Sequence, residues 1–243
     1  MSKVLPFAKV VKFEDKDDKI HALAVGKKLA ALVLRRNDRP KNPKAKADRL
    51  VLLDKKSGAV TRELALTSDA THNGMVFNKT GALLFSTDAG LMSLNTDDAN
   101  AQPQPVKLDG IKKPAQLATD KDGRLFVMDE GADAQVKVFA DGKLQRAIGT
   151  RGSQRGLDYD AQALRGVQAI SVADDGALWI AESPPHDGPQ LGFVRRIAVF
   201  GADGKFARHF IGGTWYGANQ VCLHEQDPTL ALAYGVLYRI APT

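Results

Sequence analysis

The chain has 243 residues, with 34 Lys and Arg against 28 Asp and Glu, and 44% of its residues are hydrophobic. That balance belongs to an ordinary folded domain and excludes collagen-like, disordered and coiled-coil chains. No apolar run approaches the roughly 18–20 residues that a membrane-spanning helix needs. Cys222 is the only cysteine, so neither an intrachain disulfide nor a cysteine-based metal site is available. The opening MSKVLPFAKV lacks the apolar core of a signal peptide. As written, the chain reads as cytoplasmic, or as extracytoplasmic if it is a domain excised from an exported protein.

In chain order, VLPFAKVVKF reads as one strand near the N-terminus with no partner of its own. RLVLLDKKSGAVTRELAL then predicts a hairpin turning near Ser57-Gly58. Three segments that follow line up with one another: GMVFNKTGALLFSTDAG from Gly74, QLATDKDGRLFVMDEG from Gln116 and AISVADDGALWIAESP from Ala169. Each is a short strand, a turn ending in Gly81, Gly123 or Gly176, a second strand and a polar exit. Second hairpins turn at Asp141-Gly142 and Asp203-Gly204. Asp-Gly between apolar runs is a strong hairpin signal, because Gly enters the left-handed region without steric cost.

Four strands in units of 42 or so residues predict an all-β fold, a β-propeller of four-stranded blades. No stretch shows a helical period over about ten residues. The blades fall at about 20–67, 70–108, 112–149 and 166–212. A last blade is built from the strands of 217–243 plus 3–14, in one propeller domain over 1–243. Pairing the two termini makes five blades and hides two sheet edges that would otherwise template aggregation. A six-bladed ring or a fragment of a larger propeller are the alternatives.

Units of the form LATDKDGRLFVMDEGADAQVKVFADGKL resemble NHL repeats, the motif of NHL-type propellers and of the streptogramin-lyase-like group. The segment GTRGSQRGLDYDAQALRGVQAISVADDGALWIAES is similar to their Gly-rich link running into a new blade. The resemblance is good over about 110–215, fair over 68–108 and weak in blade one. It implies the scaffold rather than one activity, since such propellers include RNA binders, protein-interaction modules, lyases and lactonase relatives.

With strands a to d in each blade, the a–b and c–d turns lie on one face and the b–c and d–a connections on the other. The long irregular segments, 35–49, 67–74, 149–166, 183–192 and 211–219, fall in the second class. Long loops on a rigid scaffold are where binding residues concentrate. Charge is uneven as well: residues 1–60 carry 16 Lys and Arg against 7 Asp and Glu, while the remainder carries 18 against 21. Arg35, Arg36, Arg39, Lys41, Arg151 and Arg155 are therefore candidate binding residues, suited to a polyanion through counterion release. A solvated loop explains the same run. Trp215 and Tyr216, in a Gly-rich link, suit a partner-binding hot spot.

His72, Asp88, Asp129, Glu182 and His186 are the candidates for chemistry, as oxygen-rich ligands of a divalent cation such as Ca or Mg, or as an acid–base pair. No spaced ligand motif unites them, and turn formation explains strand-end acids equally well. The expectation is a non-catalytic propeller that binds a macromolecular partner, a protein first, through its long-loop face, with no cofactor. The alternatives are a metal-dependent lyase or lactonase-like hydrolase in the central channel, and RNA or polyanion binding through the basic loops.

Overall fold

The computed structural model describes residues 18–36, 48–66, 74–152, 160–183, 196–211, 222–223, 230–233 and 236–239. The chain divides into two units, Met1–His72 and Asn73–Thr243. In the first, β1 (Asp18–Val25), β2 (Leu29–Arg36), β3 (Arg49–Asp54) and β4 (Val60–Ala65) form an antiparallel meander in sequence order. Leu32, Leu34, Val51 and Leu53 make one buried face of that sheet.

The second unit repeats the pattern. β5 (Met75–Phe77), β6 (Leu83–Thr87), β7 (Gly90–Leu94) and β8 (Gln104–Val106) form blade two. Blade three holds β9 (Pro114–Thr119), β10 (Leu125–Asp129), β11 (Gln135–Ala140) and β12 (Lys143–Ile148), and blade four β13 (Val167–Val172), β14 (Leu178–Glu182), β15 (Arg196–Phe200) and β16 (Phe206–Ile211). β17 (Cys222–Leu223), β18 (Leu230–Ala233) and β19 (Val236–Arg239) make a three-stranded sheet. The four-stranded sheets thus span 18–65, 75–106, 114–148 and 167–211. The strand expected over 3–14 to complete the last blade lies outside the described residues.

The repeated turns explain why the units are so regular. In blade two, Asn78 Oδ1 accepts the amides of Thr80 and Ala82, while Gly81 N–H donates to Asn78 O. In blade three, Asp120 does the same for Asp122 and Arg124, with Gly123 closing the turn. A side chain that mimics a turn followed by a left-handed Gly sets the hairpin locally. At Asp141-Gly142 both residues have positive φ, 48° and 76°, as a two-residue hairpin between right-twisted strands requires.

Blades two to four stack face to face. Leu84 and Leu91 of blade two pack with Leu117, Val127 and Phe139 of blade three. The opposite face of blade three, with Phe126, Met128, Val136 and Val138, packs on Ile180, Ala198 and Phe200 of blade four. Interior strands are thus covered on both sides, and β6 and β14 are buried along their whole length.

Where β5 begins, the blades come closest. A Cβ on Gly74 would stand 2.2 Å from the Ala115 carbonyl oxygen and 2.8 Å from Leu117 N. Ser86 Oγ accepts the Gly74 amide (2.9 Å) and donates to Ala115 O (2.6 Å), which ties blade two to blade three at that point. Gly74→Ala forces two backbones apart, and overpacking of this kind costs about 1–3 kcal/mol. Urea unfolding of that variant should show a lower midpoint, whereas Gly110→Ala, with nothing but the tip of Leu144 within 4 Å, carries only its backbone cost.

Candidate functional site

The b–c and d–a connections of blades three and four are built on buried charge. Asp129 ends β10 with its carboxylate fully buried. Its Oδ2 meets Lys137 Nζ at 2.7 Å, and its Oδ1 accepts the amides of Lys113 (2.8 Å) and Gly131 (3.2 Å). Lys137 comes from β11 and is itself buried. It also donates to Asp133 Oδ2 at 2.9 Å and to Gly110 O. Asp133 in turn accepts Arg151 Nε at 2.8 Å. One lysine thus holds the b–c connection of its own blade and the d–a link that leads into that blade.

Blade four repeats the device with other residues. Glu182 ends β14 and pairs with Arg196, the first residue of β15, with both side chains buried. Glu182 Oε1 accepts the Arg165 amide at 2.7 Å. Arg196 also donates to Ala161 O (2.9 Å) and Ala163 O (2.8 Å). Those carbonyls belong to the long link between blades three and four, whose two feet are bridged by Thr150 and Ala163. Gln135 Nε2 donates to Gly149 O at 2.7 Å, so the foot at 149 is held from blade three as well.

Electrostatics follows from this geometry. Burial raises the Asp129 carboxyl, but Lys137 and the Lys113 and Gly131 amides outweigh it and hold Asp129 below the ordinary aspartate range. Hydrogen bonds from Lys137 and then Arg151 lower Asp133 to about 2. Burial opposes the charged form of Lys137, yet its two carboxylates raise it. Glu182 is pushed up by burial, against the pull of Arg196.

The candidates from sequence are distributed as follows. Asp129 and Glu182 occupy equivalent strand ends, and each is closed by a cation and linker amides. Asp88 is not their equivalent. The matching position in blade two is Thr87, whose Oγ1 donates to Gly90 O (3.0 Å), and Asp88 is exposed in the turn beyond it. Among the described residues, no three His, Cys, Asp or Glu side chains stand together as a metal site.

Arg35 ends up in a blade rather than in a loop: it lies on β2, and its Nε meets the buried Asp48 carboxylate at 2.9 Å. Arg36 closes β2, opposite Asp18. Arg151 keeps a mostly exposed side chain while paired to Asp133. Arg39, Lys41, Arg155, Trp215, Tyr216, His72 and His186 lie outside the described residues.

Not every connection of that class is long: the b–c connection of blade two is only Asp88 and Ala89, and that of blade three only 130–134. The long segments expected in the second unit, 149–166, 183–192 and 211–219, lie partly outside the described residues. Lys137, which holds Asp129, Asp133 and Gly110, and Arg196, which holds Ala161 and Ala163 of the 149–166 link, were missed from the sequence. The signal was there: a cation inside an interior strand, covered on both faces, demands a buried partner.

No protein-family model matches this sequence, and no curated protein matches it. Among solved structures it is similar to selenomethionine-substituted virginiamycin B lyase from Staphylococcus aureus, with a TM-score of 0.50 and 15% identity. The fold is a β-propeller. The alignment covers 82% of this chain and 57% of that one, so this propeller chain spans just over half the length of its structural neighbour. At that identity the likeness is one of fold. Among the described residues, no helix is long and apolar enough to cross a membrane.

Removing one partner of a buried pair leaves an uncompensated ion, at a cost of about 3–5 kcal/mol. Lys137→Met should lose that much stability in urea unfolding, and Lys137→Met with Asp129→Asn should recover a large part of it. Recovery identifies the buried charge, rather than lost packing, as the cause.

Asp133 gives the pH sign. Its folded value, about 2, lies below the ordinary 3.8. Its stabilising contribution is therefore complete above the ordinary value and is lost as pH falls toward the folded one. Thermal unfolding followed from pH ~5 to ~2 should fall less steeply in Asp133→Asn than in the native chain.

Proposed function

We propose that this propeller is a non-catalytic binding module that engages a macromolecular partner, a protein first, through the long connections on its b–c and d–a face. The observation that carries this reading is the clamping of the 149–166 link. Arg196, Gln135 and Asp133 each hold one of its feet from a rigid blade. This long connection, which carries Arg155 in its sequence, is fixed on both sides by contacts to the blades. Loops on rigid scaffolds of this kind carry recognition. The closing of Asp129 and Glu182 by their own cations supports the same reading, because their lone pairs already serve the linkers. Arg39, Lys41, Trp215 and Tyr216 complete the proposed surface. We also propose that residues 3–14 supply the fourth strand of the blade formed by β17–β19, which makes five blades of NHL type; deleting 1–14 should then lower the unfolding temperature.

A second reading has a specific observation in its favour. A solved structure of similar fold is named a lyase, and His72 and His186 suit a metal-dependent lyase or lactonase-like hydrolase. The two readings separate in one experiment. Thermal unfolding is measured for the protein as isolated, after EDTA, and with Mg²⁺, Ca²⁺, Mn²⁺ or Zn²⁺ added singly. A ligand of the folded state adds about 2.7 kcal/mol at one hundred times its dissociation constant.

The expected result is that none of the metals shifts the midpoint, and that partner capture is lost when 153–159 is shortened or Trp215 and Tyr216 are replaced by Ala. A saturable shift with one metal, abolished by His72→Ala or His186→Ala, overturns the binding module in favour of the channel enzyme. Capture of RNA that weakens steeply with salt moves the reading to the basic loops.

A further inference from the structure

We infer that the outer edge of blade four is a docking surface for an extended, acidic polypeptide segment, which adds a strand alongside β16. This surface is separate from the loop face and does not rest on it. Each four-stranded sheet ends in an outer strand, and such edges offer unpaired backbone groups to other chains. The outer strands differ in how they are blunted. β8 is three residues long and contains Pro105. β4 carries charges of both signs, Arg62 and Glu63. β12 opens with Lys143 and continues through Gln145 and Arg146. β16 reads FARHFI, which like β12 has no proline and no acid, but of these four outer strands it is the one with aromatic residues. Among the described residues, no strand lies beyond it.

Side chains on β16 prepare that edge. The Phe210 ring stacks on Trp179 of β14, with centroids 5.8 Å apart and an interplanar angle of 11°. The Arg208 guanidinium lies 5.9 Å from the Trp179 ring and 5.7 Å from the Phe210 ring, within cation–π range of both. Trp179 is buried, whereas Phe210 is 42% exposed and Arg208 is exposed too. An arginine held in place on aromatic faces loses little further freedom on binding. Trp, Phe and Arg are also among the residues enriched at interfaces.

Charge selects the occupant. A second copy pairing its β16 antiparallel in the two registers centred on Arg208 would set Arg208 against Arg208 or against His209, and opposed like charges destabilise a strand pair. The same cation favours a carboxylate. Arg208 and Phe210 are two residues apart and share one face of the strand. The fitting segment therefore carries an acid and, two positions away, an aliphatic or aromatic residue, in extended form. Strand addition of this type takes affinity from main-chain hydrogen bonds and specificity from alternate side chains.

The test uses the full chain and three fluorescein-labelled peptides. The first alternates Glu with Val and Phe, the second has Lys in place of each Glu, and the third is the acidic peptide with alternate amides N-methylated on its pairing edge. Fluorescence anisotropy gives affinity, and amide exchange gives location. The acidic peptide should bind saturably and slow exchange within 206–211. Its affinity should fall at least about tenfold in Arg208→Glu and in Phe210→Ser, as for interface hot spots. Both substitutions fall on exposed side chains, and unchanged unfolding temperatures confirm that the variants fold. Shortening 153–159 should leave this binding intact, which separates it from the loop face. Absence of binding, equal binding of the Lys or N-methylated peptide, or protection elsewhere overturns the inference. Self-association abolished by Phe210→Ser would put a second copy on the edge and overturn it as well.

Discussion

An ion buried in protein keeps its charge only if partners replace the water it has lost, and the deficit otherwise runs to several kcal/mol. The interior ends of β10 and β14 carry such ions in Asp129 and Glu182. Their partners come from two sources, a cation on the next strand and amides of the incoming link. Neither source suffices alone. Lys137 satisfies one oxygen of Asp129, and the Lys113 and Gly131 amides satisfy the other. The link cannot drift without uncovering a charge, so the path of each connection near the blades is set by the blade interior. Turn geometry governs the opposite face in the same way, but there Asn78 and Asp120 bond only within their own turns.

That constraint also decides what these carboxylates can do. A general base or metal ligand needs a lone pair facing substrate, whereas the oxygens of Asp129 and Glu182 face Lys137, Arg196 and backbone N–H groups. Thr87 at the matching end of β6 shows that the position itself does not require an acid. It takes whichever group closes the local connection. Where that connection is two residues, Asp88 and Ala89, a hydroxyl on the Gly90 carbonyl is enough. Where it must hold a longer link, a full ion pair appears. The acidity of the strand ends tracks the size of the connection that each one secures.

Much of the fold is legible in the sequence because it is encoded locally. NKTG, DKDG and Asp141-Gly142 each contain the side-chain acceptor and the left-handed residue that a hairpin needs, all within four residues. The blade boundaries follow from them. The candidate site is less legible, because its decisive contacts are not local. Lys137 is eight residues from Asp129, and Arg196 fourteen from Glu182. Pairing them requires the register of β10 on β11 and of β14 on β15, across connections of unequal length. Lys137 sits within the strand QVKVFA, and the blades stacked on both sides make that position an interior one. Arg35 is misread for a related reason. It adjoins a basic loop in sequence, yet it belongs to β2 and answers Asp48.

Stacked blades also explain the distribution of large side chains. Blades that radiate from an axis are closest at their first strands and farthest apart at their last. Gly74, Ala115 and Ala118 therefore occupy the narrow part of the contacts in the second unit. Phe139, Phe200 and Phe206 fill the wider part. On the far face of blade four, Trp179 of β14, Val199 of β15 and Arg208 of β16 are cross-strand neighbours, with Phe210 beside Arg208 on the outer strand. Size alone is then no anomaly at Phe210, since the position calls for a large residue. Its exposure is the informative feature. Phe206, on the same strand but turned toward blade three, packs edge-on against Phe200 at 5.7 Å and is partly buried there. Phe210 leaves 42% of its surface open, although Ala181, Val199 and Trp179 on the same face are buried. The open apolar surface of that face is therefore confined to β16, the strand beyond which no other lies among the described residues.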